Sequence, residues 1–385
     1  MSQDHCCTKI ETIAVHGSKG FDPATGAVSF PIYQSATFKH SALNVSTGYD
    51  YSRLQNPTRE EVENTIAKLE GGKAGLAFSS GVAAITAVLN LFHNGDHIIV
   101  SDDLYGGTYR LFENIVNFHG IGHTFTDTSK IENILESITE NTKAIFIETP
   151  TNPMMKVTDI SEIVKIAKER GIITIVDNTF LSPYFQQPLL LGVDIVVHSG
   201  TKFLGGHNDT LSGFVVLNDE QLTEKLRFIQ KSTGGVLAPF DSWLILRGIK
   251  TLHIRMERQQ QNALAVAKWL KGHNSVEKVY YVGLPDHEGY ETNLKQARGF
   301  GSMISFSVKD KALVEQILSR VKVVTFAESL GGVESLITYP QVQTHADIPK
   351  EIRDRLGITD RLLRLSVGIE NVDDIINDLK QAIEI

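Results

Sequence analysis

The stretch Val193-Asp194-Ile195-Val196-Val197-His198-Ser199-Gly200-Thr201-Lys202-Phe203-Leu204-Gly205-Gly206-His207 decides how the chain is read. Ile195 to Val197 is a short apolar run, as in a buried strand. Two hydroxyls, a lysine and a glycine pair follow it at once. Upstream, Ile172-Ile173-Thr174-Ile175-Val176-Asp177-Asn178 is a second such run, and it ends on an acid. Continuous rather than alternating apolar runs belong to strands covered on both faces, the habit of parallel sheets.

Working outward, Ala74 to Phe78, Ile98 to Ser101, Ala144 to Glu148 and Phe214 to Val216 read as further strands. Helical spacing predicts helices over Val82 to Phe92, Tyr109 to Phe118 and Ile160 to Arg170. Such alternation predicts an α/β fold with a mostly parallel sheet and helices on both faces, with ligands gathered at the carboxyl ends of the strands. Before it, Thr58-Arg59-Glu60-Glu61 predicts a helix start with Thr58 as cap. Val62, Ile66 and Leu69 recur on one face, and Gly71-Gly72 end it. Residues 1 to 58 hold scattered apolar positions among many turn formers, an N-terminal arm rather than a core. A large domain is expected over 59 to 250 and a smaller C-terminal α/β domain over 251 to 385. The latter would hold the long helix Met256 to Leu270, strands at Val279 to Val282 and Met303 to Ser307, helices Ala312 to Val321 and Val372 to Ile383, and an antiparallel sheet.

At 385 residues the chain has room for two domains, and 42% hydrophobic with 21% charged residues is ordinary for a globular enzyme. A net charge of -8 argues against a nucleic-acid partner, which calls for a basic face. No apolar run approaches a membrane span and no leader pattern opens the chain, so a cytoplasmic protein is expected. Cys6 and Cys7, adjacent and alone, are too few for a disulfide framework or a metal site and read as plain thiols. Thirteen histidines include His198 and His207 on either side of the lysine, but none belongs to a His-Glu-x-x-His zinc helix, and no metal is expected.

The chemistry lies at the strand ends. A strand ending in Asp and another ending in Ser-x-Thr-Lys supply what pyridoxal phosphate needs. The lysine forms a Schiff base with the aldehyde, the acid pairs with the pyridinium nitrogen, and the hydroxyls bind phosphate. Lys202 is therefore the candidate catalytic amine, against the plainer reading of a surface lysine. Asp177 needs a partner at the end of an apolar strand, either a protonated ring nitrogen or a structural cluster. Ser79-Ser80-Gly81-Val82 is a strand-to-helix turn whose backbone N–H groups can approach an anion. Tyr105, after another strand end, could stack on the cofactor ring or simply pack. Arg364, within Arg364-Leu365-Ser366-Val367-Gly368-Ile369, is a candidate for two-pronged carboxylate binding, or an ordinary ion-pair former.

With these residues in place, the run from Ser199 to Asp209 resembles the signature of the Cys/Met-metabolism pyridoxal-phosphate enzymes, the cystathionine γ-synthase, γ-lyase and β-lyase family. The resemblance covers nearly the whole chain. Tyr51-Ser52-Arg53, Asn56-Pro57-Thr58, Ser79-Ser80-Gly81, Tyr105-Gly106-Gly107, Glu148-Thr149-Pro150-Thr151-Asn152-Pro153, Asp177-Asn178-Thr179, Glu328-Ser329-Leu330-Gly331-Gly332 and Arg364-Leu365-Ser366 extend it. Gly200 departs from the family's usual alanine. The resemblance implies a fold type I transferase in which Lys202 holds the cofactor and moves protons. Asp177, assisted by Thr179, would meet the pyridine nitrogen, and Tyr105 would stack on the ring. Ser80, Gly81, Val82, Ser199 and Thr201 would hold the phosphate, completed by Tyr51 and Arg53 of a neighbouring subunit. That makes a homo-oligomer obligatory, in this family usually a tetramer. Asn152, Ser329 and Arg364 would bind the carboxylate of a small amino-acid substrate. Glu328 would mark the γ-synthase and γ-lyase branch, Arg110 would line the entrance, and Tyr51 or Tyr105 could assist proton transfer. Methionine γ-lyases usually carry cysteine where this chain has Gly107. The stretches 238 to 243 and 338 to 340 lean toward γ-synthases that also use sulfide with O-acetylhomoserine. The activity implied is γ-replacement of an O-acylhomoserine with cysteine to give cystathionine. A γ-lyase or β-lyase running elimination is the neighbouring alternative, and a non-catalytic regulator on the same fold a remote one.

Overall fold

The computed structural model describes residues 8–384. Its strands in chain order are β1 (Ala74–Phe78), β2 (His97–Ser101), β3 (Gly122–Thr126), β4 (Thr142–Glu148), β5 (Ile173–Asp177), β6 (Ile195–Ser199), β7 (Gly213–Leu217), β8 (Val276–Tyr280), β9 (Met303–Val308), β10 (Thr325–Phe326), β11 (Leu336–Thr338) and β12 (Leu362–Ser366). The α-helices are α1 (Ile10–His16), α2 (Pro57–Glu70), α3 (Gly81–Leu89), α4 (Gly106–Leu111), α5 (Ile131–Ser137), α6 (Ile160–Lys168), α7 (Ser182–Phe185), α8 (Glu220–Thr233), α9 (Pro239–Ile249), α10 (Leu252–Gly272), α11 (Tyr290–Gln296), α12 (Ala312–Arg320), α13 (Lys350–Leu356) and α14 (Val372–Ile383). Cys6 and Cys7 fall outside the described residues. By internal packing the chain divides into two units. One runs to Leu91 and resumes over Val197–His253; the other comprises Phe92–Val196 and continues from Ile254.

In the first unit the strand order is β1-β7-β6, with β1 and β7 antiparallel. Helix α2 buries Val62, Ile66 and Leu69 as its spacing predicts, and ends on Gly71 in the left-handed conformation at φ 72°. Its cap, however, is Asn56 rather than Thr58: the Asn56 side chain accepts from the Thr58 and Arg59 amides, and Pro57 takes the first helical position. The Thr58 hydroxyl instead donates to the Pro31 carbonyl and accepts from the Tyr33 amide, tying the preceding segment down. The N-terminal segment also has a helix of its own, α1, which buries Ile10 and Ala14 and packs on α2. A side chain on Gly75 would lie 2.2 Å from the Glu63 carbonyl, so β1 runs hard against the α2 backbone.

In the second unit β5-β4-β2-β3 are parallel neighbours, as the continuous apolar runs require. The order β10-β11-β12-β9-β8 forms another sheet, antiparallel except between β10 and β11. Ile304, Phe306, Ile337, Leu363 and Leu365 of this sheet pack with Val266, Leu270, Ile317, Ile375 and Leu379 of α10, α12 and α14. Each such fully buried aliphatic chain stabilises by about 1.5–3 kcal/mol. The helix expected over Tyr109 to Phe118 begins earlier, as α4, and passes through a π turn at Phe112–Val116 and a 3₁₀ turn at Asn117–His119. Strand β3 and helices α5, α8 and α9 were not expected. No residue of β3 is fully buried, and α8 buries only Leu226 and Gln230, so neither leaves a strong periodic signal.

Candidate functional site

The residues singled out from the sequence fall into two groups, one in each unit. In the first unit, β1 runs into α3 through Ser79 and Ser80. The Ser80 hydroxyl caps the helix by accepting from the Ala83 amide at 3.1 Å. The Gly81 and Val82 amides, in the first turn, have no acceptor within the helix, and both residues are half-buried. A methyl on Gly81 would lie 2.9 Å from Ser199 Cβ, so the end of β6 and the start of α3 meet with no room for a side chain. Ser199 ends β6, and its carbonyl accepts from the Lys202 amide at 3.3 Å. The Lys202 carbonyl accepts in turn from Gly206 at 2.7 Å. This tight turn leaves Lys202 half-buried. The Thr201 hydroxyl accepts from the Ser212 amide at 3.0 Å, clasping the turn to the strand that follows. At Gly200 the family's usual methyl would lie 2.3 Å from Phe214 Cε2 and from Ser212 Oγ, so glycine here goes with the position of the Phe214 ring.

In the second unit, Asp177 ends β5 and accepts from Thr179 at both its amide (3.0 Å) and its hydroxyl (2.5 Å). Beside it in register is Glu148, the end of β4, only 5% exposed. Burial, and then the charge of Asp177, push the Glu148 carboxyl well above the usual range. Glu148 accepts from the Tyr105 amide at 3.1 Å, which fixes the start of α4. The Tyr105 side chain is 42% exposed, and its ring lies over Gly107, where a side chain would come within 2.3 Å of Tyr105 Cε1.

On β12, Arg364 is fully buried, between β11 and β9. Its guanidinium donates to Asn152 Oδ1 (2.8 Å), the Ser329 carbonyl (3.0 Å) and Thr338 Oγ1 (3.3 Å). Ser329 adopts φ 100°, a strained conformation for a residue with a side chain, and thereby aims its carbonyl at the arginine. Among the described residues Arg364 Nε is buried without a partner. No carboxylate pairs with the guanidinium among the described residues. Burial lowers its pKa to about 10, against the opposing pull of Glu148, Tyr105 and Glu328. A buried cation surrounded by neutral acceptors is costly unless an anion joins it.

Arg364, Asn152 and Ser329 are therefore brought together as the sequence suggests, and Glu328 is exposed next to Ser329. Arg110 is exposed on α4 and pairs with Asp347. In the arm, Tyr51 and Arg53 are exposed; the Arg53 guanidinium lies 5.6 Å from the Tyr51 ring and donates to the Lys231 carbonyl. Sequence reading missed Thr338, Glu148 as a buried acid, Asp103 and His345. Asp103 offered one signal: it lies two residues past Ser101, the end of β2, another carboxylate at a strand's carboxyl edge. Among the described residues no group of three metal-ligating side chains converges, and no helix is long and apolar enough to cross a membrane.

A family model described as Cys/Met metabolism PLP-dependent enzyme matches residues 11–384. The chain belongs to this family. Among its relatives, a cystathionine gamma-lyase of Bacillus subtilis is 53% identical, with 98% of this chain and 99% of that protein covered. A cystathionine beta-lyase of Lactococcus lactis is 51% identical over the same shares. A cystathionine gamma-synthase/O-acetylhomoserine (thiol)-lyase of Bacillus subtilis is 50% identical, covering 100% and 97%. The crystal structure of a Lactobacillus plantarum cystathionine gamma-lyase complexed with L-serine superposes with a TM-score of 0.96 at 46% identity, covering 97% and 98%. The fold is thus that of the fold type I pyridoxal-phosphate enzymes, and the chain is an enzyme of cystathionine chemistry that uses this cofactor. Residues of each unit suit the group: in the first, two amides of a helix's opening turn, a glycine where a side chain would meet Ser199, and a half-buried lysine; in the second, a strand-end acid held by a threonine.

Proposed function

We propose that this enzyme replaces the γ-substituent of an O-acylhomoserine with cysteine, giving cystathionine, and with sulfide, giving homocysteine. The observation that carries the amino-acid substrate is Arg364, a buried guanidinium that, among the described residues, has Nε unpartnered and makes no ion pair with a carboxylate. Asn152 adds the donors of its Nδ2, which make no hydrogen bond among the described residues. Together they offer an α-carboxylate a charge-assisted, two-pronged site. The exposed acid at Glu328 favours chemistry at the γ-carbon.

In this reading Lys202 would hold pyridoxal phosphate, and Asp177 would keep its ring nitrogen protonated, oriented by Thr179. Gly81, Val82, Ser80, Ser199 and Thr201 would bind the phosphate, with Tyr51 and Arg53 contributed by a neighbouring subunit of a homo-oligomer. Bound pyridoxal phosphate supplies the electron sink that makes the substrate's α- and β-protons acidic. The Lys202 amine would accept the α-proton, and Tyr105 or Tyr51 would assist proton transfer at the departing group. Arg364 and Asn152 would fix the carboxylate so that the bonds being broken keep one orientation throughout.

γ-Elimination from cystathionine is the second reading, favoured by the 53% identical relative named as a γ-lyase. The deciding assay incubates purified enzyme with O-acetylhomoserine, with and without cysteine, beside a cystathionine-only control. Rapid cystathionine formation supports γ-replacement. Rapid 2-oxobutanoate and ammonia from cystathionine, with little synthesis, would replace it by γ-elimination, and pyruvate from the control would indicate β-elimination.

A further inference from the structure

Asp103 and His345 have no part in the chemistry above, yet both are completely buried and both grip the segment that carries Asn152. Asp103 Oδ2 accepts from the Thr151 hydroxyl and from the Met154 amide (3.1 Å), one on each side of Asn152. The Thr151 hydroxyl also accepts from the Lys156 amide at 2.8 Å, closing the turn on itself. His345 Nε2 donates to the Asn152 carbonyl at 3.0 Å, and its Nδ1 accepts from the Thr344 hydroxyl at 2.8 Å. The chain has left Asn152 almost no freedom: its carbonyl is held by His345, its Oδ1 by Arg364, and its neighbours by Asp103.

We propose that Asp103 and His345 are positioning residues for substrate-carboxylate recognition, holding the turn from Pro150 to Met154 so that the Asn152 carboxamide stays registered on Arg364. The proposal rests on the reading of Arg364 and Asn152 as the carboxylate site. Two further observations support it. Among the described residues Asp103 Oδ1 is buried without a partner, so the acid is kept at the expense of an unsatisfied oxygen. Burial also pulls His345 down to about 4, so its imidazole is neutral at physiological pH and the Nε2 proton stays on the Asn152 carbonyl. An apolar residue of similar size at either position would avoid burying a titratable group, which makes a purely space-filling role a poor account of them.

The test uses the holoenzyme and its Asp103→Leu, Asp103→Asn, Thr151→Val, His345→Gln and Arg364→Leu variants. Glycine, which offers an amine and an α-carboxylate but no γ-carbon, is titrated against the cofactor absorbance. Alongside, KM and kcat, melting temperature and the affinity of the apoenzyme for pyridoxal phosphate are measured. Asp103→Leu and Thr151→Val are expected to weaken glycine binding and raise KM about tenfold, with kcat and cofactor affinity within about twofold. Asp103→Asn should restore most of the loss, because an amide oxygen can accept the same two hydrogen bonds. If Asp103→Leu does not fold, Thr151→Val and His345→Gln decide in its place. Unchanged glycine affinity in these folded variants, while Arg364→Leu loses it, would overturn the positioning role alone. A fall in cofactor affinity equal to the fall in glycine affinity would overturn it in favour of general loosening. Unchanged glycine binding in Arg364→Leu would overturn the carboxylate reading and this proposal with it.

Discussion

The start of α3 and the middle of β12 both offer hydrogen-bond donors to an anion, and they are built in opposite ways. At Gly81 and Val82 the donors are backbone amides that the helix leaves unpaired by its geometry, so no charge has to be buried. At Arg364 the donor is a full charge, out of water and surrounded by neutral oxygens. The first place is constrained by volume, because Ser199 stands where a side chain on Gly81 would go. The second is constrained by electrostatics, because Glu148 and His345, which feel its charge, are themselves buried and titratable. Substitutions that change size should therefore act on cofactor binding, and substitutions or pH changes that alter charge should act on substrate binding.

The largest effect should come from Lys202→Ala, which touches neither donor set. Steady-state assays are expected to show kcat at least a thousandfold lower, roughly the loss seen when a covalent catalyst is removed. Retained turnover would sink the mechanism outright. Next comes pH. His345 is held near 4, first by burial and then by the Arg364 charge, while an unfolded histidine titrates near 6.5. As pH falls from 6.5 to 4 the unfolded chain takes up a proton that the folded one refuses, so this group removes about 3 kcal/mol of stability across that window. Asp103 works in the other direction: raised to about 7 by burial, its folded form binds a proton that the unfolded acid releases near 4, and stability is lost as pH rises through that range. Denaturant titrations of wild type against His345→Gln and Asp103→Asn should give pH-dependent differences of opposite sign; parallel curves would break the comparison. Arg364→Leu is expected to raise KM about thirtyfold without altering cofactor affinity, and Arg364→Lys to recover only part of that, since a point charge cannot replace the fork. Gly81→Ala should do the reverse and more mildly, weakening pyridoxal phosphate about tenfold in equilibrium titration with KM unmoved.

What could be read from the sequence follows the same division. Ser80, Gly81, Ser199, Thr201, Lys202 and Asp177 stand at the ends of apolar runs, where residue type and strand position together state a role. Arg364 stood out by residue type, but Asn152 and Ser329 joined it only through the family resemblance and Thr338 not at all, because they lie far from it along the chain and periodicity carries no signal for such meetings. The Asp103 and His345 contacts are hidden for the same reason. The cap of α2 was misplaced by two residues because Thr58 satisfies the capping pattern as well as Asn56 does, and only the proline between them favours the earlier residue. Strand β3 escaped because a half-buried strand of Gly-His-Thr-Phe-Thr has no apolar run to announce it.

The antiparallel pairing of β1 with β7 has a consequence for how the protein is made. Its two strands are separated by the whole of β2 to β6, so during synthesis β1 leaves the ribosome long before its partner exists. At ordinary elongation rates that interval is on the order of ten seconds. Throughout it a strand of Ala-Gly-Leu-Ala-Phe, almost wholly buried in the finished molecule, has an open hydrogen-bonding edge. Conditions that slow translation between residues 78 and 213 should therefore lower the soluble yield more than the same delay placed after residue 217.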